Sequence, residues 1–150
     1  TRPKPKDEFG GNAQVTVGNY GEFNVRGSLT GPIVPGKVDA RISVNRVSND
    51  GQFINQFNGQ NRGFVDLWLV SPSLRFTPSE DVEILLNYDY LRNNSDWGVL
   101  FNRSGPNDLM CLGILLTDIP RCENPNQDLR RPNQDTPTSL RTTTHMVSLT

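Results

Sequence analysis

At 150 residues the chain is long enough to bury one sizeable core or to form part of a larger wall. Its 15 basic and 16 acidic residues nearly cancel, which removes the basic footprint that a nucleic-acid surface needs. Hydrophobic residues are only 34%, and no apolar run approaches the roughly 18 residues of a spanning helix. That excludes helical membrane proteins and leaves a barrel open, because barrel strands show only alternation over about 10 residues.

The opening "TRPKPKDEFG" is basic and interrupted by Pro3 and Pro5, so residues 1–10 read as an extended linker. From Gly11 the chain alternates. Ala13, Val15 and Val17 fall on one face, Gln14 and Thr16 on the other, as a strand with two different faces requires. "GNYG" (Gly18 to Gly21) is a turn. A second strand follows with Phe23, Val25, Leu29 and Ile33 in phase, and "VPGK" (Val34 to Lys37) predicts a type II turn through its Pro-Gly pair. In the third strand Val38, Ala40, Ile42 and Val44 alternate with Asp39, Arg41, Ser43 and Asn45.

"SNDGQFINQFNGQNRG" is then a loop of mostly Asn, Gln and Gly. A fourth strand carries Trp68, Val70, Leu74 and Phe76 in phase, with Leu67 and Leu69 as exceptions. "TPSED" (Thr77 to Asp81) turns the chain into a fifth strand with Val82, Ile84, Leu86, Tyr88 and Tyr90 on one side and Leu85 out of phase. From Asn93 to Thr143 there is no sustained period over about fifty residues, a length that points to function rather than simple connection. A strand resumes at His145. The expected strands are therefore near 12–18, 22–33, 38–48, 64–76 and 82–92, with a sixth from 145 and at most a helical turn within 108–118.

After the first hairpin the short turns fall on one edge and the long segments on the other. An up-and-down antiparallel meander with one smooth and one shaggy edge fits a transmembrane β-barrel with long external loops. The aromatics agree. Tyr20, Phe23, Trp68, Tyr88 and Tyr90 lie toward the long-loop edge, Phe9 and Phe76 toward the other, with aliphatic residues between. The fold class expected is all-β, a partial barrel of five to six strands. Local alternation alone is also compatible with a soluble β-sandwich, such as a carbohydrate-binding module, and with a passive porin-type barrel.

Three segments carry a family resemblance. "TRPKPKDEFGGNAQVTVGNYGEFNVRGSLTGPI" resembles the plug-to-barrel junction of TonB-dependent outer-membrane receptors. "LRFTPSEDVEILLNYDY" is similar to their strand–periplasmic turn–strand unit, and "VDARISVNRVSNDGQFIN" to the strand that continues into the next external loop. The resemblance covers roughly residues 1–92 and contains no substrate motif. It implies the end of a plug at 1–10, the first part of a barrel at 11–150, and an outer-membrane importer of a scarce nutrient, most often a ferric siderophore. Its implied partners are outer-membrane lipid, that nutrient, and the TonB complex reached through the plug. No enzyme activity and no cofactor is implied. Both ends, including the closing "THMVSLT", read as cuts through a longer protein, in which a barrel of this kind closes at 22 strands.

Within that frame the longest loop is the candidate site. Asn102, Arg103, Asn107, Asp108, Arg121, Asn124, Gln127, Arg130 and Arg131 are able to hydrogen-bond a polar ligand. Cys111 and Cys122, in "CLGILLTDIPRC", are a disulfide candidate on an oxidising side of the membrane, the other reading being two free thiols. The run "LMCLGILL" is either packed under the loop or a ligand contact. Two cysteines and a distant His145 are too few for zinc, and no nucleophile–base pair can be named.

Overall fold

Alternating apolar and polar residues, broken by Gly and Pro at the expected places, build the described residues into strands joined by turns and loops. The structure is a computed structural model describing residues 3–96, 98–99, 101, 130–135 and 138–150. Its elements are β1 (Gly10–Val17), β2 (Phe23–Val34), β3 (Val38–Asn49), β4 (Phe53–Ile54), β5 (Asn61–Arg62), β6 (Val65–Ser79), β7 (Val82–Ser95) and β8 (Leu140–Leu149). There is no helix among the described residues; the helical turn considered within 108–118 lies outside them. Six strands form one antiparallel sheet in the order β1-β2-β3-β6-β7-β8, and β4-β5 form a separate two-stranded ribbon. The sheet is an open up-and-down meander with β1 and β8 as its edges.

Local chemistry sets the connections. Lys37 N–H donates to Val34 O at 3.0 Å around Pro35 and Gly36, whose φ of 69° only a glycine adopts cheaply, as the predicted type II turn requires. At the other edge Tyr20 and Gly21 both have positive φ, 59° and 67°, and Glu22 N–H donates to Asn19 O at 3.2 Å. Two positive central φ values are the type I′ pattern, whose twist matches the strands it joins. The turn expected over Thr77 to Asp81 is tighter than its sequence suggests. β6 runs on to Ser79 and the register shifts between Phe76 and Ser79, so a bulge absorbs Thr77 and Pro78 and only Glu80 and Asp81 turn.

Two boundaries and one loop differ from expectation for one physical reason, the availability of a partner strand. β7 continues to Ser95 and β8 starts at Leu140 rather than His145, because Ser95 pairs Leu140 and Arg92 pairs Thr143. That stretch of β8 has no amphipathic alternation, but its three successive threonines suit an extended backbone. The Asn-rich loop after β3 likewise contains β4 and β5, a short ribbon that pairs Phe53 with Arg62.

The register decides the two faces. Leu29, Ile42 and Pro72 lie in one row across β2, β3 and β6, and Ala40, Leu74, Leu86 and Leu149 in the next. On the opposite face Ser28, Ser43 and Ser71 form a row, as do Asp39 and Arg75. Exposure is the reverse of a water-soluble sheet. Leu29 is 60% exposed, Ile42 45% and Val147 70%, while Asp39 is 2% exposed and Ser73 4%. Leu67 and Leu69, which broke phase, sit on the polar face beside Val47 and Leu91 at the end nearer the long connections. Pro72 is central in β6 and has no N–H to offer, and the β6–β7 pairing skips Ser71 and Pro72.

Candidate functional site

The polar face carries a connected wall of side chains. Asp39 is buried in β3, where its Oδ2 accepts from Arg75 Nε at 2.8 Å and Nη2 at 2.6 Å. Arg41 Nη2 donates to Ser28 Oγ at 2.8 Å, and Ser71 Oγ donates to Asp89 Oδ1 at 2.5 Å. Thr30 Oγ1 donates to Ala40 O at 3.1 Å and itself accepts from Lys6 N–H at 3.0 Å. Charged groups tolerate such burial only when they are paired and hydrogen-bonded like this. Between the rows lies a cleft of about 330 Å³ lined by Asn12, Arg26, Ser28, Arg41, Ser43 and Asn45, among others.

The N-terminal arm crosses this same face. Pro5 is fully buried, Lys6 bonds β2 through Thr30, and Lys4 forms an ion pair with Glu83 of β7. The arm therefore reaches from the second strand to the fifth of the sheet on the polar side. It emerges at Phe9, whose ring lies over Gly31, where a Cβ would come within 2.4 Å of the ring. Only glycine leaves that space.

At the long-connection edge the ribbon β4–β5 is tied to the segments flanking the longest loop. Asn55 is wholly buried, and its carboxamide bonds the backbone of Gln134 twice, Nδ2 donating to the carbonyl at 2.7 Å and Oδ1 accepting from the N–H at 3.0 Å. Ile54 N–H donates to Arg130 O at 3.1 Å and Gln56 N–H to Pro132 O at 2.8 Å. Beside them Arg62 grips Asp96 in a bidentate pair, Nε to Oδ2 at 2.7 Å and Nη2 to Oδ1 at 3.1 Å, with side chains 7% and 0% exposed. Gly63 N–H and Thr138 Oγ1 complete the shell of Asp96 at 2.8 and 2.5 Å. Burial pushes the Asp96 carboxyl up, but the hydrogen bonds from Arg62, Thr138 and Gly63 outweigh it and hold it below its ordinary value.

Of the loop residues singled out from sequence, Asn102, Arg103, Asn107, Asp108, Arg121, Asn124, Gln127 and the candidate pair Cys111 and Cys122 lie outside the described residues. Arg130 and Arg131 are described and exposed, and their carbonyls accept from Ile54 N–H and from Gln56 Nε2, the latter at 3.1 Å. They help to anchor the loop. The anchor itself, Asn55, Arg62, Asp96 and Thr138, was missed. Its one sequence signal is an arginine and an aspartate of opposite sign on two connections of the same edge, and that is too weak to single out. Among the described residues no three His, Cys, Asp or Glu side chains gather as a metal site needs. Comparison with family models, with characterised proteins and with solved structures gives no match to this chain.

Proposed function

We propose that the chain forms barrel-wall strands and an external loop of an outer-membrane TonB-dependent receptor, a transporter rather than an enzyme, that takes up a scarce nutrient such as a ferric siderophore. The observation that carries this is the inverted sheet. Its aliphatic face is exposed and its charged, hydrogen-bonded face is shielded, which suits lipid outside and a filled, wet lumen inside. From Val70 to Phe76 the apolar face rises six residues, roughly 20 Å along the strand, close to the height of a barrel's apolar band. The N-terminal arm on the polar face is in the position a plug-to-barrel connection would need. On this view the lumen wall is Asp39, Arg41, Ser43 and Ser71, the nutrient meets the long-connection edge, and the TonB complex acts through a plug.

The test uses the protein that carries this chain, expressed in a bacterium with an outer membrane. It should be found in the outer-membrane fraction, require detergent for extraction, and migrate differently on gels before and after boiling. Iron-limited cells lacking it should lose uptake of at least one ferric siderophore. A monomer stable in plain buffer refutes the barrel and restores the soluble module. Outer-membrane insertion with uptake intact refutes the siderophore assignment alone.

A further inference from the structure

The apolar face is not uniformly apolar, and its exceptions are ordered. The register places Arg46, Trp68 and Arg92 in one row across β3, β6 and β7. Arg141, opposite Asn94, stands on the same face one row nearer the long connections. The row below holds Val44, Val70, Tyr90 and His145, and below that come Ile42, Pro72, Tyr88 and Val147, then the aliphatic row of Ala40, Leu74, Leu86 and Leu149, with Phe76 at the smooth edge. Charge, then aromatic, then aliphatic is the sequence met on passing from headgroups into a bilayer. The charged strand residues of this face are Arg46, Asp66, Arg92 and Arg141, all in those upper two rows, and they sum to a positive patch.

The side chains leave binding capacity open. The Arg46 guanidinium lies over the Trp68 ring at 4.7 Å, which holds it flat and pre-oriented. Asp66 approaches its Nη2 only at 3.7 Å, beyond hydrogen-bond distance, and the Arg46 side chain keeps 35% of its surface exposed. The Arg92 and Arg141 side chains are exposed and make no hydrogen bond or ion pair to another described residue. Arg46 and Arg92 are two strands apart, roughly 10 Å between backbones, so both guanidiniums can reach one group set between them.

We propose that Arg46, Arg92 and Arg141, with Trp68 as platform, form a binding site for the phosphate headgroup of an anionic lipid in the leaflet at the long-connection edge. Planar guanidinium forks fit phosphate oxygens in pairs. The face points away from the cleft lined by Arg26, Ser28, Arg41 and Ser43, so the site is separate from it. Acyl chains would lie down the rows of Val44 and Val70 and of Ile42 and Pro72, of which Ile42 is the most exposed. Among the described strand residues of this face, those toward the smooth edge, Val38, Ala40, Leu74, Phe76, Ile84 and Leu86, are uncharged, so the preference holds for one leaflet.

This inference rests on the outer-membrane assignment, and the experiment separates the two. The whole protein is inserted into phosphatidylcholine bilayers doped with diphosphorylated lipid A or with the same glycolipid stripped of phosphate, and retained glycolipid per protein is measured by mass spectrometry. Wild type should retain the phosphorylated form at least about tenfold more strongly than the Arg46→Gln/Arg92→Gln variant, as two interfacial cations allow. The Arg26→Gln variant on the polar face should match wild type. If the double variant fails to insert, Arg92→Gln alone carries the comparison. Insertion with equal retention by all variants overturns the lipid site only. Displacement of the glycolipid by millimolar inorganic phosphate overturns the lipid assignment in favour of a soluble anion. Failure of wild type to insert into any bilayer overturns both proposals.

Discussion

Arg62→Gln is the substitution whose effect the structure fixes most narrowly. The Asp96 side chain is 0% exposed and its pair with Arg62 is bidentate. Removing one partner of such a pair strands the other as an uncompensated buried charge, at roughly 3–5 kcal/mol. Here Gly63 N–H and Thr138 Oγ1 still face the carboxylate, which places the cost near the lower end, about 3 kcal/mol. The pair ties β5 to the connection after β7, away from the sheet's own ladder, so the loss should appear as local opening. The assay is hydrogen exchange in the folded protein at the N–H groups of Ile54, Gln56 and Gln134, whose acceptors are Arg130 O, Pro132 O and Asn55 Oδ1. Their exchange should quicken by about a hundredfold, while that of Ile42 in β3 stays fixed. Adding Asp96→Asn removes the stranded charge, so the double variant should lose less than the sum of the singles. Acceleration of less than about fivefold, the scale of an exposed ion pair, would refute the anchor.

Four further outcomes follow from the same geometry. Because Asp96 titrates below its ordinary value in the fold, its contribution is complete above the unfolded pKa near 3.8. It is lost as pH falls further through the folded value, so exchange at Ile54 should quicken only below about pH 4. Ile42→Lys in the bilayer-inserted protein should cost roughly 2–4 kcal/mol in unfolding titrations and Ser43→Lys much less; equal costs would show the faces are wrongly assigned. Gly21→Ala should destabilise more than Gly36→Ala, since both have positive φ but only Gly21 would set a Cβ 2.0 Å from Asp50 Oδ2, and thermal melts of the two variants rank them. Deleting 104–129 while keeping the docked 130–135 should weaken nutrient binding in a direct titration and leave insertion intact, whereas unchanged affinity would make the loop a shield.

The sequence by itself determined most of the long strands and which of their residues share a face, because a period of two is a local property. Val38 to Asn45 could be read one residue at a time, and "VPGK" named its turn because Pro and Gly restrict φ directly. The same locality explains what it left open. Leu67, Leu69 and Leu85 were legible only as exceptions; the register with Val47, Asn45 and Arg75 puts them on the polar face. Leu140 to Thr144 became strand because Leu91 to Ser95 offered a ladder, a fact about a partner some fifty residues away. The anchor was invisible for the same reason. Asn55 in an Asn- and Gln-rich loop looks solvated until Gln134 closes over it, and Arg62 and Asp96 are ordinary surface charges until the fold buries them against each other. Alternation decides what a strand shows to each side, and only tertiary pairing decides which polar groups lose their water.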